Sequence, residues 1–135
     1  MTRKFLPHMS DVLIETYGKT FESAYQELCI GMFSQMGRDS VKKESESFSV
    51  NQKANTLDEL VVNSLSEILA ECEIERVIPK KVNVKEFDEA EKSISLDVIG
   101  GTGIPRNIIK AVTYHELKVE KDKKGNWTIR VLFDI

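Results

Sequence analysis

Carboxylate groups near the two ends of the sequence are the candidates for a metal-binding site. The side-chain carboxylate of Asp134 lies one residue from the main-chain carboxylate of Ile135, and Asp11, with His8 three residues before it, lies near the other end. Two carboxylates about 4 Å apart repel by about 4 kcal/mol at an effective dielectric constant near 20, so a fold that fixes them would supply a cation. Because the ends of a compact domain often lie close together, these groups are predicted to meet. Such oxygen ligands favour Ca²⁺, Mg²⁺ or Mn²⁺ over zinc.

The alternative is that these acids are ordinary solvated side chains. Most termini fray in water, where salt screens the repulsion between charges, and single aspartates are usually exposed. The sequence contains no Cys and His spacing typical of a metal site, no serine nucleophile elbow and no Walker sequence. It therefore does not indicate a self-sufficient active site.

Length and composition limit the class of protein. With 135 residues, the chain is predicted to form one domain, residues 1–135, that buries roughly two-thirds of its unfolded surface. The hydrophobic content of 41% and the charged content of 30% are typical of a soluble globular protein. A formal net charge of −3 gives no basic footprint, so DNA binding and sequence-wide RNA binding are not expected. No apolar stretch of spanning length and no signal-peptide pattern is present, so we expect a cytoplasmic protein without a membrane partner.

Hydrophobic periodicity predicts two amphipathic helices among several strands. Thr20 is a candidate N-cap for a helix over residues 21–36, and Thr56 with Glu59 forms a capping-box pattern before a helix over residues 57–72. Alternating patterns predict strands over residues 12–17, 41–52, 82–87, 94–98, 109–119 and 127–135. This arrangement predicts a two-layer α+β domain, in which the two helices cover one face of a mainly antiparallel sheet.

Several other residues have a structural and a functional interpretation. Cys29 and Cys72 lie on the apolar faces of the predicted helices, which favours buried thiols over a disulfide or a nucleophile. The glycines in residues 100–103 favour a flexible turn over a phosphate-binding loop. The two lysines at residues 80–81 are interpreted as a solvated connector. Alternation over residues 109–119 puts His115 among apolar neighbours, which favours a hydrogen-bonded core histidine over a catalytic one.

Four segments together match the pattern of a known family. Residues 8–12 are similar to its His-Thr-Ala-Asp-Val segment, and residues 18–25 are similar to its glycine turn into the first helix. Residues 110–115 read Lys-Ala-Val-Thr-Tyr-His, and residues 133–135 read Phe-Asp-Ile. This pattern, which extends over residues 6–135, resembles the archease family. The chain departs from the pattern at four positions, namely Met9, Ser10, Leu13 and Gly101.

The resemblance implies a function and a set of site residues. Archease proteins are small, non-catalytic activators of the RtcB-type RNA ligase, which joins an RNA end bearing a terminal or cyclic phosphate to a 5′-hydroxyl end. The resemblance implies that this chain promotes guanylylation of that ligase by GTP, which the ligase uses, and its repeated turnover in tRNA splicing and RNA repair. Asp11 and Asp134 would then bind a divalent cation together with the carboxylate of Ile135, and His8 and His115 would support the site through hydrogen bonds. Ca²⁺ is the first expectation for this cation, with Mg²⁺ or Mn²⁺ as alternatives.

Two other classes of function remain open at this point. A small metal-dependent hydrolase could use Asp11, Asp134 and His115. A chaperone-like adaptor could act through exposed apolar surface, in which case the acids would be incidental. Whether RNA is contacted directly is also left open.

Overall fold

The computed structural model describes residues 10–135, which form six strands and two α-helices. The elements are β1 (Asp11–Gly18), α1 (Phe21–Ser34), β2 (Glu46–Lys53), α2 (Leu57–Glu75), β3 (Val77–Asp88), β4 (Ser93–Thr102), β5 (Ala111–Lys121) and β6 (Trp127–Asp134). All strand pairs are antiparallel, in the orders β1–β6–β5 and β2–β4–β3. The predicted α+β class is confirmed, and the strands are divided between two three-stranded sheets where the sequence had suggested one.

Both helices begin where the sequence predicts them. The Thr20 hydroxyl accepts a hydrogen bond from the Ser23 backbone N–H at 3.1 Å, and the Thr56 hydroxyl accepts one from the Glu59 N–H at 3.0 Å. Each bond satisfies one of the backbone donors that a helix leaves unpaired in its first turn. The helix ends differ slightly from the prediction, since α1 stops at Ser34 and α2 continues to Glu75.

The apolar faces of the helices and of both sheets form one hydrophobic core. Helix α1 contacts β1, β3 and β6, and α2 contacts β2, β3, β4 and β5, so each helix packs against strands of both sheets. The two helices are joined by a buried hydrogen bond of 2.7 Å between the hydroxyls of Tyr25 and Ser64. The largest fully buried side chains are Tyr25, Phe21, Phe33, Phe133, Leu28, Met32, Leu60, Leu65, Ile68, Leu96, Ile129 and Val50. This core fixes the direction in which each strand presents its outward side chains.

The two cysteines are part of that core. Cys29 and Cys72 are free and buried, as the sequence predicts. Burial raises the pKa of the Cys72 thiol to about 12 and also raises the pKa of Cys29. Both thiols therefore stay protonated at neutral pH, which is unlike a nucleophile.

The pairing of β3 with β4 corrects two predictions. Residues 80–81 lie within β3 and not in a connector, and residues 100–102 continue β4 where the sequence suggested a turn. Gly100 pairs with Pro79 next to a register shift, and a Cβ atom at Gly100 would lie 2.1 Å from the carbonyl oxygen of Ile78. Glycine is therefore required because the two backbones approach closely, and it does not end the strand.

A large bulge interrupts β5 and corrects the interpretation of His115. Thr113 pairs with Leu132 and Lys118 pairs with Arg130, so four residues of β5 lie opposite a single residue of β6. The bulge contains Glu116 in the left-handed region, with φ of 58°. His115 is exposed, so the prediction of a core histidine is wrong. The reason is that the bulge ends the strict alternation from which its direction was inferred.

No helix within residues 10–135 combines the length and the hydropathy needed to span a membrane.

Candidate functional site

Asp11 and Asp134, here called the acid pair, are cross-strand partners in the β1–β6 ladder. The Ile135 backbone N–H donates to the Ser10 carbonyl at 2.8 Å, which makes Ser10 and Ile135 a hydrogen-bonded position of the ladder. The next position, Asp11 opposite Asp134, is therefore a non-hydrogen-bonded one, where facing side chains are closest. The Cβ atoms at such a position are about 4.5–5.5 Å apart. Two exposed carboxylates thus share one face and one end of the β1–β6–β5 sheet.

The alternation of β6 explains why the acid pair points away from the core. Phe133 is fully buried on the inner face, and Ile135 packs partly against the same core. Because successive residues of a strand point to opposite faces, Asp134 between them is directed outward. Its carbonyl accepts a hydrogen bond from the Lys110 N–H at 2.7 Å, so the segment entering β5 holds the backbone at Asp134, while the bond from Ile135 to Ser10 holds the next residue against β1.

The acid pair is an incomplete set of metal ligands. Within residues 10–135 no group of three or more His, Cys, Asp or Glu side chains is placed to hold a metal ion. Two carboxylates suit a hard cation such as Ca²⁺. Because Ca²⁺ takes roughly six to eight oxygen ligands, most of its coordination would come from water or from another molecule.

The resemblance places two histidines near the acids, and the structure describes one of them. His8 lies outside the described residues. His115 lies in the β5 bulge, which faces the Val131 position of β6, whereas the acid pair is at Asp134. Three strand residues correspond to roughly 10 Å along the sheet. The backbone of His115 is therefore displaced from the acid pair by about three residue positions along β6.

The outward face of the β1–β6–β5 sheet also exposes apolar and aromatic side chains. Leu13, beside the acid pair, is opposite Leu132, and both Leu13 and Tyr17 are exposed. The hydrogen bond with the Glu15 side chain raises the pKa of Tyr17 above its ordinary value. The sequence-based interpretation gave these residues no role, although the positions of residues 13, 15 and 17 on the polar side of β1 follow from the same alternation that places Asp11.

A cleft of about 550 Å³ lies at the same end of the molecule, between α2 and the chain leading into β5. Ala111, the partner of Asp134 in β5, is one of its lining residues, so the cleft adjoins the acid pair. Arg106 and Lys110 bring positive charge to its loop wall. Sequence reasoning missed this cleft, and the signal that could have indicated it is the isoleucine-rich stretch around Pro105.

The protein is a two-layer α+β domain in which strands β1 and β6 place two aspartates opposite each other. The chain matches the model of the Archease protein family (MTH1598/TM1083) over residues 4–135. It is 31% identical over 140 residues to protein archease of Methanosarcina mazei, covering 98% of this chain and 94% of that protein. It is also 31% identical over 141 residues to protein archease of Thermoplasma volcanium, covering 100% of both. The chain belongs to the archease family.

Two solved structures share this fold. The solution structure of Methanobacterium thermoautotrophicum protein 1598 superposes with a TM-score of 0.72 at 22% identity, covering 96% of each chain. The crystal structure of an archease from Thermotoga maritima, described as a possible chaperone, gives a TM-score of 0.64 at 20% identity. The alignment covers 100% of this chain and 98% of the Thermotoga chain. At these identities the likeness establishes the fold alone.

Proposed function

We propose that this chain is a non-catalytic, cytoplasmic activator of an RtcB-type RNA ligase, and that it promotes guanylylation and repeated turnover of that ligase in tRNA splicing and RNA repair. The observation that carries the proposal is the acid pair, Asp11 opposite Asp134, on the outward face of a sheet. Membership of the archease family supports it.

Asp11 and Asp134 would hold a divalent cation, first Ca²⁺ and alternatively Mg²⁺ or Mn²⁺, with the carboxylate of Ile135 as the expected third ligand. A bound cation of this kind supplies a Lewis acid that neutralises charge on phosphoryl oxygens. The chain's own contribution is to fix the two side chains. Ladder hydrogen bonds of the neighbouring residues hold β1 against β6, and the buried Phe133 anchors β6 next to Asp134. The low number of protein ligands would leave coordination positions open for the ligase or its nucleotide.

The test is multiple-turnover joining by the RtcB-type ligase of the same cell, with GTP and a divalent metal. The reactions receive no addition, the wild-type chain, Asp11→Ala, or Asp39→Ala as a matched control at an exposed aspartate far along the chain from the acid pair. Stimulation by wild type and Asp39→Ala, but not by Asp11→Ala, is the expected result. Full stimulation by Asp11→Ala would contradict the role of the acid pair, and no stimulation by wild type would contradict the activator function.

A chaperone-like adaptor is a second candidate, which the exposed apolar side chains favour. Leu13, Tyr17 and Tyr114 on or beside the outward sheet face are exposed. The Thermotoga maritima relative is described as a possible chaperone. This candidate predicts protection of unrelated unfolded proteins from aggregation, with no change for Asp134→Asn. The metal-dependent hydrolase predicts instead that the isolated chain turns over phosphoester substrates until a chelator is added.

A further inference from the structure

Three isoleucines in the segments that form the cleft beside the acid pair are exposed. Ile104, Ile74 and Ile108 have 72%, 70% and 37% of their surface exposed, respectively. Each is the immediate chain neighbour of a residue that lines the cleft. Single exposed apolar residues are common on protein surfaces, but several around one concavity are typical of an interaction site.

The loop that carries two of these isoleucines is held in place by backbone hydrogen bonds. The Gly103 N–H donates to the Arg76 carbonyl at 2.9 Å, and the Arg106 N–H donates to the Met36 carbonyl at 3.1 Å. At its far end the Lys110 N–H donates to the Asp134 carbonyl at 2.7 Å. The loop is thus tied to the turn after α1, to the end of α2 and to β6. A partner that binds it loses little loop entropy, because the loop is already ordered.

The loop wall of the cleft carries unpaired positive charge. Arg106 and Lys110 both line the cleft, and within the described part of the chain neither forms an ion pair with a carboxylate. Residues 1–9 contain no Asp or Glu that could pair with them. Glu73 lines the cleft from α2, so positive charge is confined to the loop side. In a chain with a net charge of −3, this wall is complementary to an anionic group.

We propose that this cleft docks a short segment of the partner ligase, in which a large apolar side chain enters the cleft and a flanking Asp or Glu meets Arg106 and Lys110. The inference rests on the proposed function. A peptide fits better than a small metabolite because the exposed Ile104 and Ile74 are outside the cleft lining but next in the chain to residues that form it, where an enclosed ligand would not reach. Docking here brings the acid pair to the ligase surface, because Ala111 lines the cleft and is also the β5 partner of Asp134.

The experiment measures ligase stimulation as a function of the concentration of this protein. Ile104→Asp and Arg106→Glu alter the docking cleft at exposed positions, and Ser47→Asp and Lys123→Glu are matched controls at exposed positions on the β2–β4–β3 sheet and in the β5–β6 turn. We expect each cleft variant to raise the half-maximal concentration at least about tenfold, with the maximal stimulation unchanged, because the acid pair remains intact. The two controls should leave the half-maximal concentration at its wild-type value.

Unchanged half-maximal concentrations for both cleft variants would overturn the docking proposal while the activator function stands. An equal rise for Ser47→Asp would also overturn it, since the loss of affinity would then not be specific to the cleft. If the wild type fails to stimulate, the activator function fails, and anisotropy of the labelled chain with the ligase decides the docking proposal separately. Binding that Ile104→Asp and Arg106→Glu weaken would support docking at the cleft, and absence of binding would overturn it.

Discussion

The outward faces of the two sheets differ in how their polar side chains are paired. On the β2–β4–β3 sheet, the Ser49 hydroxyl donates to Asp97 at 2.7 Å and the Ser95 hydroxyl donates to Asn51 at 2.7 Å. Lys85 adds an ion pair to Asp97 at 3.3 Å. These bonds cross from strand to strand, so this face satisfies its own polar groups in solvent.

Within residues 10–135, no hydrogen bond between two side chains joins strands on the outward face of the β1–β6–β5 sheet, where side chains donate to carbonyls instead, as Thr113 does to Leu132. Asp11 is opposite Asp134, and Glu15 is opposite Arg130, whose Nε donates instead to the Glu116 carbonyl at 2.9 Å. No ion pair between residues 10 and 135 joins two strands of this sheet. A sheet that pairs like charges and exposes apolar side chains is not optimised for contact with water alone. Under the proposed function, the outward face of the β2–β4–β3 sheet serves stability and that of the β1–β6–β5 sheet serves recognition.

We expect the largest difference between the two sheets when a leucine in each central strand is substituted and the free energy of unfolding is compared. Leu96 of β4 is fully buried on the inner face, whereas Leu132 of β6 lies on the outward face and is 8% exposed. Leu96→Ala should lower the free energy of unfolding by about 2–5 kcal/mol, because it leaves a cavity in the core. Leu132→Ala should cost less, about 1–2 kcal/mol, since water can fill the space. Urea denaturation measures both, and equal losses would mean that the outward face is packed as tightly as the core.

Matched aspartate substitutions on the two sheets should have opposite effects. Asp134→Asn removes one charge of the acid pair and should reduce ligase stimulation at least about tenfold, with the melting temperature nearly unchanged. Asp97→Asn removes the ion pair with Lys85 on the other sheet. That variant should stimulate as the wild type does and should be slightly less stable, as shown by joining assays and thermal melts. Equal loss of stimulation in both variants would remove the functional distinction between the sheets.

Two left-handed residues allow a smaller test of backbone strain. Glu116 in the β5 bulge and Lys92 in the β3–β4 turn have φ of 58° and 54°. Glycine adopts this conformation without strain, so Glu116→Gly and Lys92→Gly should each raise the free energy of unfolding by about 0.5–1 kcal/mol. Denaturant titration measures the gain. If Glu116→Gly gains stability but loses stimulation, the side chain in the bulge contributes to recognition, whereas Lys92→Gly should leave stimulation unchanged.

Asp97 on the β2–β4–β3 sheet should make a small contribution to the pH dependence of stability. The Ser49 hydroxyl, and then Lys85, hold the pKa of Asp97 below its ordinary value of 3.8. A folded-state pKa below the unfolded one stabilises the fold above about pH 4, and this stabilisation is lost as the pH falls through the folded pKa. Asp97→Asn should therefore show a smaller decrease in melting temperature between pH 5 and pH 2 than the wild type. An identical decrease would show that Asp97 does not couple protons to folding.

Regular periodicity allowed most of the fold to be predicted. Both helices, their caps at Thr20 and Thr56, and the alternation of β6 follow from side-chain patterns that the structure preserves. The direction of Asp134 could therefore be inferred from its buried neighbours. The meeting of Asp134 with Asp11 depends on the register between the first and last strands, which no local pattern contains.

Irregular backbone explains what could not be predicted. No residue type in the β5 bulge indicates a bulge, so the sequence pattern places the exposed His115 in the core. Gly100 suggested a break, but it allows β3 and β4 to approach closely. Strand β2 begins at Glu46, later than the apolar Val41 suggested, because Val41 is buried within the preceding loop. The cleft depends on how this loop-rich end packs, which the sequence does not specify.

The pairing of β1 with β6 also has a consequence for folding kinetics. Asp11 of β1 is opposite Asp134 of β6, a pairing between residues 123 positions apart in the chain. Contacts this distant in sequence form slowly, because the loop between them must close before they are made. During synthesis on the ribosome, β1 must wait for β6 before the two aspartates can face each other. Cation binding by the acid pair would therefore distinguish the finished fold from any partly folded intermediate.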